Sequence, residues 1–119
     1  MHLPLAENRM DPEFDELKRE FLAEAGEKVK EMGSVLAASP GDIPTSDGLE
    51  RMGYLAHQLK GAGGSYGFPT ISTYAAALEE TLEEVGKAKS AELNSDMTRH
   101  IQNLASEVDR RSKELAPAS

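Results

Sequence analysis

His57 and Lys60 stand three residues apart in the stretch AHQLKGAGGSYGFP, residues 56–69, which also carries glycines at 61, 63, 64 and 67. A neutral imidazole is a competent nucleophile near neutral pH, because an unperturbed ring titrates near 6.5. An ammonium one helical turn away supplies a nearby positive charge. The glycines need their own explanation, since each one inside a helix costs about 1 kcal/mol relative to alanine.

A helix turns by about 100° per residue, so position alone assigns direction. Leu49, Met52, Ala56, Leu59, Gly63 and Tyr66 recur at spacings of three and four and form an apolar seam. His57 lies about 130° from the centre of that seam and is expected to face solvent. Gly53, Gly61 and Gly64 fall within about 40° of it, and Lys60 about 60° away on the side nearer the seam. The imidazole is thus ringed by positions without side chains, a flat surface onto which another molecule's backbone can settle. Gly63 lies in the seam, where it lets a neighbouring helix approach closely. Gly67 falls past the helix and suits a left-handed cap. Singly, each feature has an ordinary reading as surface, solvated charge or packing; their clustering on one face points to function. His2 and His100 have no such surroundings and read as surface residues.

Other chemistries fail on spacing. No Gly-Lys-Ser/Thr follows the glycines, so the stretch is not a P-loop, and it does not fit G-x-G-x-x-G. No histidine or carboxylate stands at a metal-pair spacing from His57. Ser65 is eight residues on, about 80° round and two turns away, too far for a serine–histidine couple. With no cysteine there is no disulfide framework, thiolate nucleophile or cysteine metal site. The pairs Glu79–Glu80 and Glu83–Glu84 read as solvated helix face, with Glu79 kept as a weaker candidate.

The elements that position these residues follow from apolar periodicity. Asp11 and Pro12 form a helix start, and Phe14, Leu17, Phe21, Ala25, Val29, Met32 and Leu36 continue an amphipathic helix of about seven turns. Pro40, Gly41 and Pro44 mark a loop. A second helix runs from about Ser46 to Tyr66. A third opens at Pro69 along Ile71, Ala75, Leu78, Leu82 and Val85. A fourth starts near Ser90 along Leu93, Met97, Ile101, Leu104, Val108 and Leu115, with Glu107, Asp109, Arg110, Arg111, Lys113 and Glu114 on its polar face. Nothing alternates with the period of a strand. The expected fold is all-α, an antiparallel four-helix bundle over residues 11–116 behind a flexible segment, residues 1–10.

The chain of 119 residues fits one core, and its 29% charged and 39% hydrophobic residues are the balance of a globular protein. A net charge of −8 argues against nucleic-acid binding. The absence of a basic, then apolar, leader and of a spanning apolar run makes a cytoplasmic protein with no membrane partner the expectation. A start at Met favours a free-standing protein, and a bundle of this size can be a monomer.

AHQLKGAGGSYGFPTISTYAAALEE resembles the histidine-containing phosphotransfer (HPt) domains of multistep phosphorelays. The resemblance rests on His57, Leu59, Lys60, Gly61 and Gly64, on the turn at Ser65, Gly67 and Phe68, and on Leu78 and Glu79 at the end of the match. It covers about 25 residues closely, and the helix layout extends it over most of the chain. It implies that His57 Nε2 accepts a phosphoryl group from an aspartyl phosphate on a receiver domain of a response regulator or hybrid histidine kinase. Lys60 would hold phosphoryl oxygens, while Gly61 and Gly64 would admit the receiver; Gly53 joins them as a docking candidate on its direction alone. Some relatives, the phosphotransfer domains of chemotaxis kinases, orient the imidazole with a second histidine and a glutamate; Glu79 matches the glutamate, and Ala76 stands where the histidine would be. Gln58 is a further candidate for orienting the ring.

Phosphoryl transfer asks mainly for in-line positioning and charge neutralisation. One nucleophile and one cation supply part of that, and no carboxylate cluster is present to hold Mg²⁺. The chain is therefore expected to be a phosphocarrier without a cofactor, with Mg²⁺ and the catalytic machinery on the receiver. The phosphoacceptor domain of a larger sensor kinase is a rival, but such domains place an acidic residue after the histidine and a proline five residues on; here Gln58 and Ala62 fill those places. A helical adaptor that binds receivers without being phosphorylated is the other alternative.

Overall fold

The computed structural model describes residues 12–39, 43–87 and 91–115. They form four α-helices: α1 (Pro12–Ala37), α2 (Ser46–Ser65), α3 (Pro69–Lys87) and α4 (Ala91–Leu115). The segment 1–10 and the Asp11 cap expected from the sequence lie outside the described residues. Each helix packs on two others, α1 on α2, α2 on α3, α3 on α4 and α4 back on α1, and the α2–α3 interface is the most extensive. Phe21 of α1 stacks on Tyr66 at the end of α2, while Glu31 later in α1 pairs with Arg51 early in α2, so these helices run antiparallel. This is the all-α four-helix bundle expected from the periodicity.

Local chemistry sets the helix ends that bear on the site. Thr45 caps α2, its hydroxyl accepting the Gly48 N–H at 3.1 Å. At the other end Gly67 takes φ +87°, its N–H donates to the Gly64 carbonyl at 3.1 Å, and the Phe68 N–H reaches the Gly63 carbonyl at 2.8 Å. These two bonds are the Schellman pattern, which a glycine in the left-handed region makes possible. Phe68 then offers its carbonyl to the Ile71 N–H at 3.0 Å, and α3 begins at Pro69, where a missing N–H costs nothing.

The core is aliphatic and methionine-rich, with Met32, Met52, Leu59, Ile71, Leu78, Met97 and Leu104 fully buried. Three large apolar residues depart from the expected seams. Leu22 and Leu55, outside the single stripes, are buried, because a helix that touches two neighbours needs a wider apolar face. Leu17, inside its stripe, is 48% exposed. It lies a turn before Phe21, whose ring already meets the α2–α3 turn at Tyr66 and Phe68, and Glu13, Glu16 and Glu20 surround it. Glu107 was expected on the polar face of α4 and is buried instead. Arg110 and Arg111 bind its two oxygens at 2.9 and 2.8 Å. Burial disfavours its charge, but those bonds outweigh burial and hold the carboxyl below its ordinary titration range.

Candidate functional site

Ala56 and Leu59 are fully buried against the bundle, which fixes the roll of α2 and turns His57 outward. The His57 side chain is 69% exposed, and its Nδ1 lies 3.1 Å from Glu79 Oε2 on α3. The other oxygen of Glu79 lies 2.7 Å from Lys60 Nζ. The hydrogen bond from Lys60 lowers the Glu79 pKa most; burial opposes it, and the bond from His57 adds to the lowering. Glu79 is therefore ionised at neutral pH, and an ionised carboxylate only accepts hydrogen bonds. The proton of the neutral ring must then sit on Nδ1, leaving the Nε2 lone pair on the edge turned away from Glu79.

The structure thus brings two of the candidate residues, His57 and Lys60, onto the carboxylate of a third, Glu79. Ala76 offers no second histidine, and none is needed for contact, because Glu79 reaches the imidazole directly. Gln58 Nε2 donates to the Tyr54 hydroxyl one turn back, at 2.9 Å, on the side facing α1. Among the described residues, no group of three His, Asp or Glu side chains is arranged to hold a metal ion.

The glycines divide as their directions require. A Cβ built at Gly53 or Gly61 would meet nothing within 4 Å, and one at Gly64 only the Ser72 hydroxyl at 3.8 Å. The surface beside His57 is open at all three. A Cβ at Gly63 would lie 2.6 Å from Ser72 Oγ and 2.9 Å from the Ser72 nitrogen, so here the missing side chain admits the α3 backbone.

Two neighbours of the site were not singled out from the sequence. Tyr54, 55% exposed, stands one turn before His57 with the Arg51 guanidinium 5.5 Å from its ring centroid. Its position three residues before the histidine was the available signal. Ser72 joins α3 to α2: its hydroxyl accepts the Gly64 N–H and donates to the Lys60 carbonyl, each at 2.8 Å. Of the histidines read as surface, His2 lies outside the described residues. His100 is only partly exposed, and burial, with Arg99 nearby, lowers its pKa.

The fold and site together define a small four-helix module with a histidine exposed on one helix and in contact with a carboxylate of the next. The family model described as the Hpt domain matches residues 16–111, which span all four helices, and the chain belongs to that family. Hpt domains serve phosphotransfer in phosphorelays as phosphocarriers and interact with receiver partners. No curated protein and no solved structure matches the chain significantly. No helix among the described residues is long and apolar enough to cross a membrane.

Proposed function

We propose that His57 is the phosphoacceptor. Its Nε2 takes a phosphoryl group from the aspartyl phosphate of a receiver domain and passes it to the aspartate of another. The Nε2 lone pair attacks phosphorus, the N–P bond forms as the P–O bond to the aspartate breaks, and the aspartate leaves as carboxylate with the bonding electrons. The ring keeps its Nδ1 proton and becomes positively charged, and the Glu79 carboxylate faces that charge. Lys60, half-exposed one turn from His57, is placed to exchange Glu79 for a phosphoryl oxygen. Gly53, Gly61 and Gly64 leave the surface on which a receiver settles, and the Mg²⁺ that neutralises the transferring group belongs to that receiver.

The observation that carries this reading is the His57 Nδ1–Glu79 contact, because it commits the nucleophilic lone pair to the outward edge of the ring. The test is to incubate the whole chain with phosphorylated receiver domains and assay acid-labile, base-stable phosphate. The wild type should gain it and His57→Gln should not, with unchanged helical content. Label that survives His57→Gln overturns the assignment. A wild type that binds receivers yet never takes label makes the chain an adaptor.

A further inference from the structure

We propose that Ser72 is a positioning residue for this site: its hydroxyl seats α3 on the backbone of α2 in the register that puts Glu79 against His57 and Lys60. The kinetic consequence rests on the reading of His57 as phosphoacceptor; the structural claim does not.

The two groups that Ser72 bridges are not arbitrary. The Lys60 carbonyl and the Gly64 N–H are four residues apart, the spacing that α-helical hydrogen bonding joins. The hydroxyl of one helix therefore sits on the hydrogen-bond ladder of the other, at the turn that begins with Lys60. Such a contact needs the two backbones close together. Gly63 provides this, since a Cβ there would strike both Ser72 Oγ and the Ser72 nitrogen. The bond thus occurs where the two helices approach closely, and a shift of α3 at that point would be opposed at once.

Ser72 and Glu79 are seven residues apart on α3, which places them on one face, about 20° apart. Ser72 holds the backbone at Lys60 and Gly64, while Glu79 binds the side chains of Lys60 and His57. Between them on the same side lie only the small residues Ala75, fully buried, and Ala76. The 3.1 Å separation of Nδ1 from Oε2 is near the long end of the hydrogen-bond range, so a displacement of α3 by about half an ångström is enough to lose it. Among the described residues no other side-chain hydrogen bond or ion pair joins α2 to α3, so the hydroxyl and Glu79 are the two fixed points of that face.

The direct readout is the protonation site of the His57 ring, followed by ¹⁵N NMR on the unphosphorylated full chain at pH 8. The wild type should show the Nδ1–H tautomer as its major form, and Glu79→Ala sets the shift expected when the acceptor is gone. Ser72→Ala should move the ring in the same direction, toward Nε2–H, and slow phosphoryl uptake from a receiver about tenfold. Ser72→Thr, which keeps a hydroxyl, should retain the wild-type tautomer. If Ser72→Ala fails to fold, Ser72→Cys preserves most of the volume with a weak donor and should show the same shift. A His57 tautomer unchanged in the folded Ala or Cys variant overturns the proposal. Should the wild type take no phosphate from any receiver, the phosphoacceptor reading falls, while the tautomer measurement still decides the role of Ser72.

Discussion

Glu79 Oε2 lies 3.1 Å from His57 Nδ1 across the α2–α3 interface while its Oε1 lies 2.7 Å from Lys60 Nζ, so a single carboxylate meets both the ring and the nearest cation. Removing it has two separable effects. Glu79→Ala deletes a charge-assisted bond of about 2 kcal/mol and should slow phosphoryl uptake roughly thirtyfold. Glu79→Gln keeps an acceptor oxygen for Nδ1–H but loses the charge that faces the cationic phosphorylated ring, so its rate should fall between those of Glu79→Ala and the wild type. Single-turnover transfer from a labelled receiver gives both numbers. Equal rates in all three proteins would take Glu79 out of the reaction.

The same carboxylate sets a direction for acid stability. In the folded chain Lys60 and His57 hold the Glu79 carboxyl, and Arg110 and Arg111 the Glu107 carboxyl, below the ordinary glutamate range. A depressed carboxylate contributes stability that is present above the unfolded value and lost as pH falls through the folded one. The free energy of urea unfolding should therefore begin to fall below about pH 7, where His100 takes up its proton more readily in the unfolded chain, and drop further below about pH 5, where the two carboxylates do the same. Glu107→Gln should be less stable than wild type at pH 7, because two arginines lose their charged acceptor, and should lose less on acidification. A difference between the two proteins that is independent of pH would contradict the pairing.

The bundle was legible because its helices are periodic and its breaks are chemical: Pro44 precedes α2 and Pro69 opens α3, so neither falls in a helix interior. Stripe width was not legible. A one-dimensional seam follows one neighbour, whereas Leu22 and Leu55 are buried because each helix in the ring has two. Glu107 was hidden for the opposite reason: a carboxylate reads as surface until the guanidinium groups of Arg110 and Arg111 are seen on both its oxygens. At the site, the outward direction of His57 and the bare positions around it came from the turn angle alone. Glu79 came only from resemblance, and Ser72 not at all. Contacts between α2 and α3 depend on how the two helices are rolled and slid, and no periodicity within one helix contains that information.

Gly53 and Gly63 have similar sequence settings and opposite surroundings. An alanine at Gly53 meets open space and should raise stability by up to about 1 kcal/mol through helix propensity. An alanine at Gly63 drives a methyl into Ser72 and to within 3.1 Å of the Phe68 carbonyl. Because the nearest groups include backbone, the cost of overpacking should exceed the propensity gain and leave a loss of about 2 kcal/mol. Urea melts of the two variants should move in opposite directions, and a stabilised Gly63→Ala would show that α3 can back away from α2 without penalty.

Gly64 tests the proposed docking surface without touching the proposed chemistry. It is exposed, about 20° round the helix from His57, and a Cβ there has room beside Ser72. Gly64→Glu adds a charged side chain on the face where a receiver must bring its own acidic phosphorylation site, so bulk and like charge both oppose the encounter. Receiver-dependent transfer should fall at least about a hundredfold, since an ion-repelling obstruction at a docking centre costs several kcal/mol. Phosphorylation of His57 by a small-molecule phosphodonor should stay within about threefold of wild type, because such a donor needs little of that surface. The comparison separates obstruction from damage: parallel losses with both donors would mean that Gly64 serves the histidine itself, and full transfer from the receiver would mean that the partner lands elsewhere.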